Sequence, residues 1–415
     1  MKPDEQWLKN RLMERFDRYV RIDTTSDLHN DREIPSTPGQ WDLLRLLEQE
    51  VKDLGIPVVL FNEDGYLIAR VPSNQDGAAP VIGFMAHVDT SPDVTGKDVR
   101  PQVHDAYAGQ DLKLKDGLIL SPSEYPELLK HTGDTLITSD GTTLLGADDK
   151  AGVAEIITAM EWILLNPEVP HGDIEIIFTP DEETGRGLTN FPLKTLKSVY
   201  CYTLDGGEEG LCEVECFNAF RVRVSCRGRV IHLGQARGKL VNAVTMLSSF
   251  LSMLPGAESP EATDGRYGYY CPLECRGNLE QAEADIYLRD FDLKEIHRRI
   301  DVLTALGTTV EKLFPGGTVE VTSEEQYLNM LEHINKNPRG LELLEKAVRL
   351  SGIEPVREII RGGTDGSKLS QMGIPTPNIF TGGHNFHSRL EWASLRGMVR
   401  AAETVIHLCA LWTEK

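Results

Sequence analysis

The chain has 415 residues, 40% hydrophobic and 26% charged, which is length enough for roughly two or three domains with substantial cores. Its formal net charge of −21 argues against nucleic acid as a partner; such a field would attract cations, either metal ions or a substrate with a free ammonium group, and it also serves solubility alone, which is the simpler reading. The charged N-terminal stretch lacks a signal-peptide core, no run reaches the ~18–20 apolar residues of a membrane span, and the 7 cysteines fit reduced thiols, so a cytoplasmic location without a membrane partner is expected.

Apolar periodicity predicts helices over 4–20 (Trp7, Leu8, Leu12, Met13, Phe16, Tyr19) and 40–54. Strands are expected at 57–61 and 66–71, joined through the turn dipeptide Asp64-Gly65. Residues 80–86 read as a strand buried on both faces, ending at His87-Val88-Asp89. Residues 96–143 are polar and punctuated by Gly and Pro, and read as hairpins outside the core. Leu144-Leu145 reads as the end of a strand. Val153, Ile156, Ile157, Met160, Ile163 and Leu164 then predict a helix over 151–165, which puts Asp148 and Asp149 in a tight strand-to-helix turn. Further strands at 173–178 and 199–204 stop at Asp181-Glu182-Glu183 and Asp205-Gly206-Gly207. Strands alternating with helices imply an α/β fold with a mostly parallel sheet.

From about 213 the pattern changes. Residues 217–226 alternate, a helix follows at 240–253, strands at 266–272 and 282–289, a helix at 292–313 and a strand at 318–322. That β-α-β-β-α-β order is ferredoxin-like. A helix at 337–352, a strand at 374–380 and a helix at 394–412 return to the first pattern. The expected organisation is one domain of residues 1–212 and 323–415, interrupted by an inserted domain of residues 213–322. Cys212/Cys216 and Cys271/Cys275 have loose zinc-ligand spacing, but both pairs fall in strand-like sequence, which argues against a structural zinc.

Two adjacent carboxylates, Asp148 and Asp149, repel unless something positive lies beside them. Alone, they would read as a helix cap and a solvated turn residue. However, five strand-like segments end in metal-ligand types: His87/Asp89, Asp148/Asp149, Glu182/Glu183, Asp205 and His384/His387. Open parallel sheets build their sites at the carboxyl ends of strands, so neighbouring strands would gather these groups on one patch. Imidazole with carboxylate suits zinc, and an oxygen-rich set also takes manganese or cobalt.

The stretches Met85-Ala86-His87-Val88-Asp89, Gly146-Ala147-Asp148-Asp149-Lys150 and Asp181-Glu182-Glu183, with Asp205, resemble the di-zinc M20 peptidases. Matches at 18–24, 135–138, 288–292 and 378–383 extend the likeness over nearly the whole chain, and point to the tripeptide aminopeptidases of that family. The resemblance implies that His87 and Asp205 hold one zinc, Glu183 and His387 the other, and that Asp148 bridges both. It implies that Asp89 hydrogen-bonds the far nitrogen of His87 and that Glu182 is the general base. The choices of Glu182 over Glu183 as base and of His387 over His384 as ligand come from the resemblance, since spacing does not decide them. Two Zn²⁺ against three carboxylates and a bridging hydroxide would leave a neutral inner shell, with the hydroxide as nucleophile and Glu182 passing its proton to the leaving amine.

The inserted domain would be a lid and dimerisation domain. His232 resembles the lid histidine that reaches into the partner subunit's site to steady the oxyanion, although Val230-Ile231-His232-Leu233-Gly234 stands where the family usually has His-Pro-Gly. Asn242 and Arg289 would grip the peptide's carbonyls and carboxylate, with a helix-surface amide and a strand-end salt bridge as equal alternatives. Residues 361–368 lack phosphate-loop spacing and read as an active-site wall. The expectation is therefore a homodimeric di-zinc aminopeptidase acting on tripeptides with a free N-terminus, with Co²⁺ or Mn²⁺ as possible substitutes. Two alternatives stay open: another M20-type amidohydrolase (dipeptidase, carboxypeptidase or deacylase), and a metal-dependent peptide binder without turnover, against which the intact Glu182 argues.

Overall fold

The computed structural model describes residues 3–77 and 79–414. Two compact units emerge: one of residues up to Val214, Met330–Glu358 and from Thr364 onward, the other of Glu215–Asn329 with Ile359–Gly363.

The larger unit is built on an eight-stranded sheet. Its spatial order is Val58–Phe61, Leu67–Val71, Ile174–Thr179, Ile82–His87, Tyr200–Gly206, Asn378–Phe380, Leu211–Cys216 and Val356–Ile360. The four central strands, Ile174–Thr179 to Asn378–Phe380, pair in parallel. They are buried and mostly apolar on both faces, as strands in the middle of a covered parallel sheet must be. Antiparallel strands flank this centre on either side. The register sets His87 beside Thr179 and Phe380 beside Gly206, so the parallel strands finish at a common edge.

The helix Ala147–Leu165 is buried along almost its whole length, between the helices Glu5–Val20 and Leu395–Leu411 and the strands Ile82–His87 and Tyr200–Gly206. Gly152 permits this approach: a Cβ there would lie 2.0 Å from the Leu204 carbonyl oxygen.

Two expectations need correction here. Leu144-Leu145 is not the end of a strand. The N–H groups of Leu145, Gly146, Ala147 and Asp148 donate to the Glu391 carboxylate instead of to a neighbouring strand, so the segment is an anchored loop. Residues 96–143 are also more than peripheral hairpins. Gln102–His104 and Leu136–Thr138 join Gly383–His384 and Trp392–Ser394 in a second four-stranded sheet. Tyr107, Leu112, Leu120, Leu128 and Leu136 bury themselves with Trp392 in a core of their own. The polar punctuation conceals this, because the central partner comes from the far end of the chain.

The smaller unit runs Asn218–Arg227, Ala243–Ser252, Tyr269–Gly277, Gln281–Asp290, Leu293–Leu313 and Thr318–Tyr327, the β-α-β-β-α-β order. Its sheet is antiparallel, ordered Tyr269–Gly277, Gln281–Asp290, Asn218–Arg227, Thr318–Tyr327. Alternating residues Phe220, Val222, Val224 and Cys226 share one core with Ile286, Leu288, Met246, Phe250, Ile296 and Leu303. The last strand continues past 322 to Tyr327. Segment Ile359–Gly363 belongs here through Arg361, which donates to the carbonyls of Gly265 (2.8 Å) and Tyr267 (2.9 Å) and lies over Phe217 and Tyr269. The segment 361–368 is thus divided, and Asp365–Gln371 is a helix of the larger unit.

Candidate metal centre

At the common edge of the parallel strands the structure gathers five side chains from five chain segments. His87, the last residue of its strand, puts Nε2 2.9 Å from Asp148 Oδ1 and 3.6 Å from Asp205 Oδ1. His387 puts Nε2 2.9 Å from Glu183 Oε2 and 3.4 Å from Asp148 Oδ2. Asp148 therefore stands between two imidazoles, one facing each of its oxygens. Its neighbour Asp149 turns the other way: its carboxylate accepts from the backbone N–H groups of His87 and Gly152, both at 3.2 Å. The backbone at Asp148 and Asp149 is non-helical, so these adjacent residues point apart.

Each segment is held by groups behind it. Asp89 accepts from the N–H groups of Glu182 (3.0 Å) and Glu183 (3.2 Å), and its Oδ1 lies 3.3 Å from His87 Nδ1. The nearer partner of that nitrogen is the Asp89 backbone carbonyl, at 3.0 Å. Asp89 thus links the histidine to the glutamate corner, a wider task than orienting a ring. Asp181, buried at φ 53°, braces the same corner by accepting from the Ser36 N–H (2.8 Å) and Gln40 Nε2 (2.8 Å). Glu391, absent from the sequence-based site, holds the loop that delivers Asp148. No local signal marks it, because its four partners lie far away in sequence.

Electrostatically the cluster has an excess of negative charge. Burial and the nearby Asp148 carboxylate push Glu183 up to about 8 and Asp205 up to about 7. Burial also pushes Glu182 well above the usual carboxylate range. His387 moves against its burial: hydrogen bonds to Asp148 and Glu183 raise it to about 11. A group of carboxylates and imidazoles that must share protons to coexist is one that divalent cations would relieve. The donor set fits such ions. In two triplets, His87/Asp148/Glu183 and His87/Asp149/Asp205, the donor atoms all lie within 4.8 Å of one another. Glu183 Oε1 is buried without a hydrogen-bond partner among the described residues. Because Asp149 is engaged by backbone amides, Asp148 is the better placed of the pair to face two ions.

His232, Asn242 and Arg289 belong to the smaller unit. His232 is exposed, and its Nδ1 accepts from the Gly234 N–H at 3.2 Å. The Asn242 side-chain oxygen caps the helix Ala243–Ser252 by accepting from Val244 N–H (2.9 Å) and Thr245 N–H (3.4 Å), so it is no free surface amide. Arg289 donates through Nη1 to the Leu288 carbonyl (3.0 Å), with its guanidinium over the rings of Tyr287 (4.8 Å) and Tyr327 (5.6 Å).

Residues 144–410 match peptidase family M20/M25/M40. The chain is 45% identical over 405 residues to peptidase T of Clostridium perfringens, covering 98% of this chain and 100% of that one. It is 43% identical over 410 residues to peptidase T of Geobacillus thermodenitrificans, with 98% and 100% covered. Among solved structures, an aminopeptidase from Bacillus cereus superposes with a TM-score of 0.76 at 22% identity, covering 98% of this chain and 99% of that one. A dinuclear metal binding M20 peptidase from Bacillus subtilis superposes with a TM-score of 0.67 at 14% identity, covering 98% and 99%. At those identities the solved structures show a shared fold.

Proposed function

This chain belongs to the M20/M25/M40 peptidase family and is an enzyme, and from that premise we propose that it is a metallo-aminopeptidase that removes the N-terminal residue from tripeptides. The observation that carries the reading is the convergence of His87, Asp148, Glu183, Asp205 and His387 on one cluster, in a chain whose full-length relatives are peptidase T proteins.

His87 and Asp205 would hold one zinc ion and Glu183 and His387 a second, with Asp148 facing both and cobalt or manganese as substitutes. When bound, such a pair supplies a Lewis acid for the scissile carbonyl and acidifies water toward a pKa of ~7. Glu182 follows Asp181 on the corner that Asp89 clamps, and it is the group proposed to take a proton from the attacking water and hand it to the leaving amine. The chain's negative charge favours a substrate with a free ammonium group. Arg289 is a planar cation suited to a peptide carboxylate, Asn242 is proposed to contact substrate carbonyls, and His232 to reach into the partner subunit's site and steady the oxyanion. The smaller unit would serve as lid and dimerisation domain of a cytoplasmic homodimer.

The test is hydrolysis of free and N-acetylated tripeptides and of dipeptides, before and after chelation. Cleavage of free tripeptides that disappears on chelation and returns with Zn²⁺ or Co²⁺ is expected. Strong cleavage of N-acetylated peptides would point to one of the family's other amidohydrolases, and activity undiminished by chelation would overturn the metal mechanism.

A further inference from the structure

Glu391 has no part in the proposed proton transfers, yet it lies 1% exposed directly behind the cluster. Its Oε2 accepts from Leu145 N–H (2.7 Å) and Gly146 N–H (2.9 Å), and its Oε1 from Ala147 N–H (2.7 Å) and Asp148 N–H (3.2 Å). Four successive amides thus converge on one carboxylate. Leu145 precedes the helix cap Gly146 and the backbone at Asp148 and Asp149 is non-helical, so Glu391 supplies these N–H groups with the acceptor that a buried backbone donor requires. Successive N–H groups aimed at one point form an anion-binding concavity, here filled by the protein's own side chain.

We infer that Glu391 is a positioning residue for Asp148, setting the backbone from which Asp148 faces His87 and His387 and thereby the affinity of the centre for metal. The inference rests on the metal reading of the site. Between the Asp148 amide and its carboxylate lie only Cα and Cβ, so a shift of the held backbone reaches both oxygens. Glu391 also follows His387 closely, with its own N–H donating to Ser388 O at 3.3 Å. One chain segment therefore supplies both an imidazole and the clamp on the carboxylate that this imidazole meets.

No other side chain reproduces the arrangement. Glutamine has one oxygen, and its NH₂ would face two N–H donors. Aspartate keeps the charge but is one methylene shorter. A group that merely stabilised the fold would lower the melting temperature and leave metal affinity alone.

Wild type, Glu391→Gln and Glu391→Asp would be compared by amide hydrogen exchange without metal, by Zn²⁺ affinity in chelator competition, and by the visible spectrum of the Co²⁺ form. Folded Glu391→Gln is expected to exchange faster at 145–148, to bind Zn²⁺ about 10–100-fold more weakly, and to show an altered Co²⁺ spectrum. Wild-type affinity together with a wild-type Co²⁺ spectrum in that variant would overturn the inference. If Glu391→Gln does not fold, Glu391→Asp decides, since wild-type affinity there overturns the inference equally. A wild-type protein that binds no metal would overturn the metal reading itself, an outcome visible without either variant.

Discussion

The imidazole of His384 lies flat against the indole of Trp392, with ring centroids 3.8 Å apart and planes within 6°. His131 meets it edge-on at 5.2 Å. Burial and the His131 charge hold His384 down to about 3, so it stays neutral. His387, three residues on and at φ 59°, instead reaches Glu183 and Asp148. One stacking partner thus separates two histidines that spacing leaves equivalent. His387→Ala should lose one of two bound metals. His384→Phe should keep both, because it preserves the stack and removes a buried Nε2 without a partner among the described residues. Metal content per chain, measured by elemental analysis, decides: equal loss in both variants would refute the distinction.

Glu182→Gln should lower kcat by about 10²–10⁴-fold while two metals stay bound and KM changes little. The Asp89 carboxylate still clamps the backbone of residues 182 and 183, so the ligand geometry survives the substitution. Near-normal turnover of tripeptide by the metal-loaded variant would remove Glu182 from the mechanism.

Gly152→Ala should destabilise the protein by at least about 1–3 kcal/mol and weaken metal binding with it. Its Cβ would meet Leu204 O at 2.0 Å and Asp149 Oδ1 at 2.5 Å, and a backbone carbonyl cannot rotate away. Relief requires the helix to move off the strand that carries Asp205. Thermal unfolding with and without zinc reads both effects, and a melting temperature equal to wild type would show the close approach to be unimportant.

Glu208→Gln should narrow the pH range of maximal stability. Burial alone would raise Glu208, but His131 and Lys130 hold it at about 2. Burial alone would lower His131, but Asp134 and Glu208 hold it above its usual value. The carboxylate's contribution is present above ~4.5 and is lost as pH falls through its lowered value; the imidazole's is present below ~6.5 and is lost as pH rises through its raised value. The stability difference between wild type and variant should therefore peak between about pH 4.5 and 6.5. The 3.5 Å separation of His131 Nε2 and Glu208 Oε1, with Glu208 partly open to solvent, keeps that difference below about 1 kcal/mol. Melting curves across pH test it, and a difference that grows steadily with pH would contradict the pairing.

Periodicity and residue type alone determined much of this protein. The helices Glu5–Val20 and Leu395–Leu411, the core strands Ile82–His87 and Ile174–Thr179, the alternating strands of the smaller unit and the ligand-type residues beyond them are legible because apolar spacing is a property of neighbouring residues. Tertiary structure decided which partner each polar group took. Leu144-Leu145 imitates a strand end until Glu391 claims the amides of 145–148, and of two adjacent aspartates Asp148 faces two imidazoles while Asp149 turns to the backbone. A hydrogen bond between distant segments depends on how the whole chain closes, and a local window of sequence holds no record of that closure.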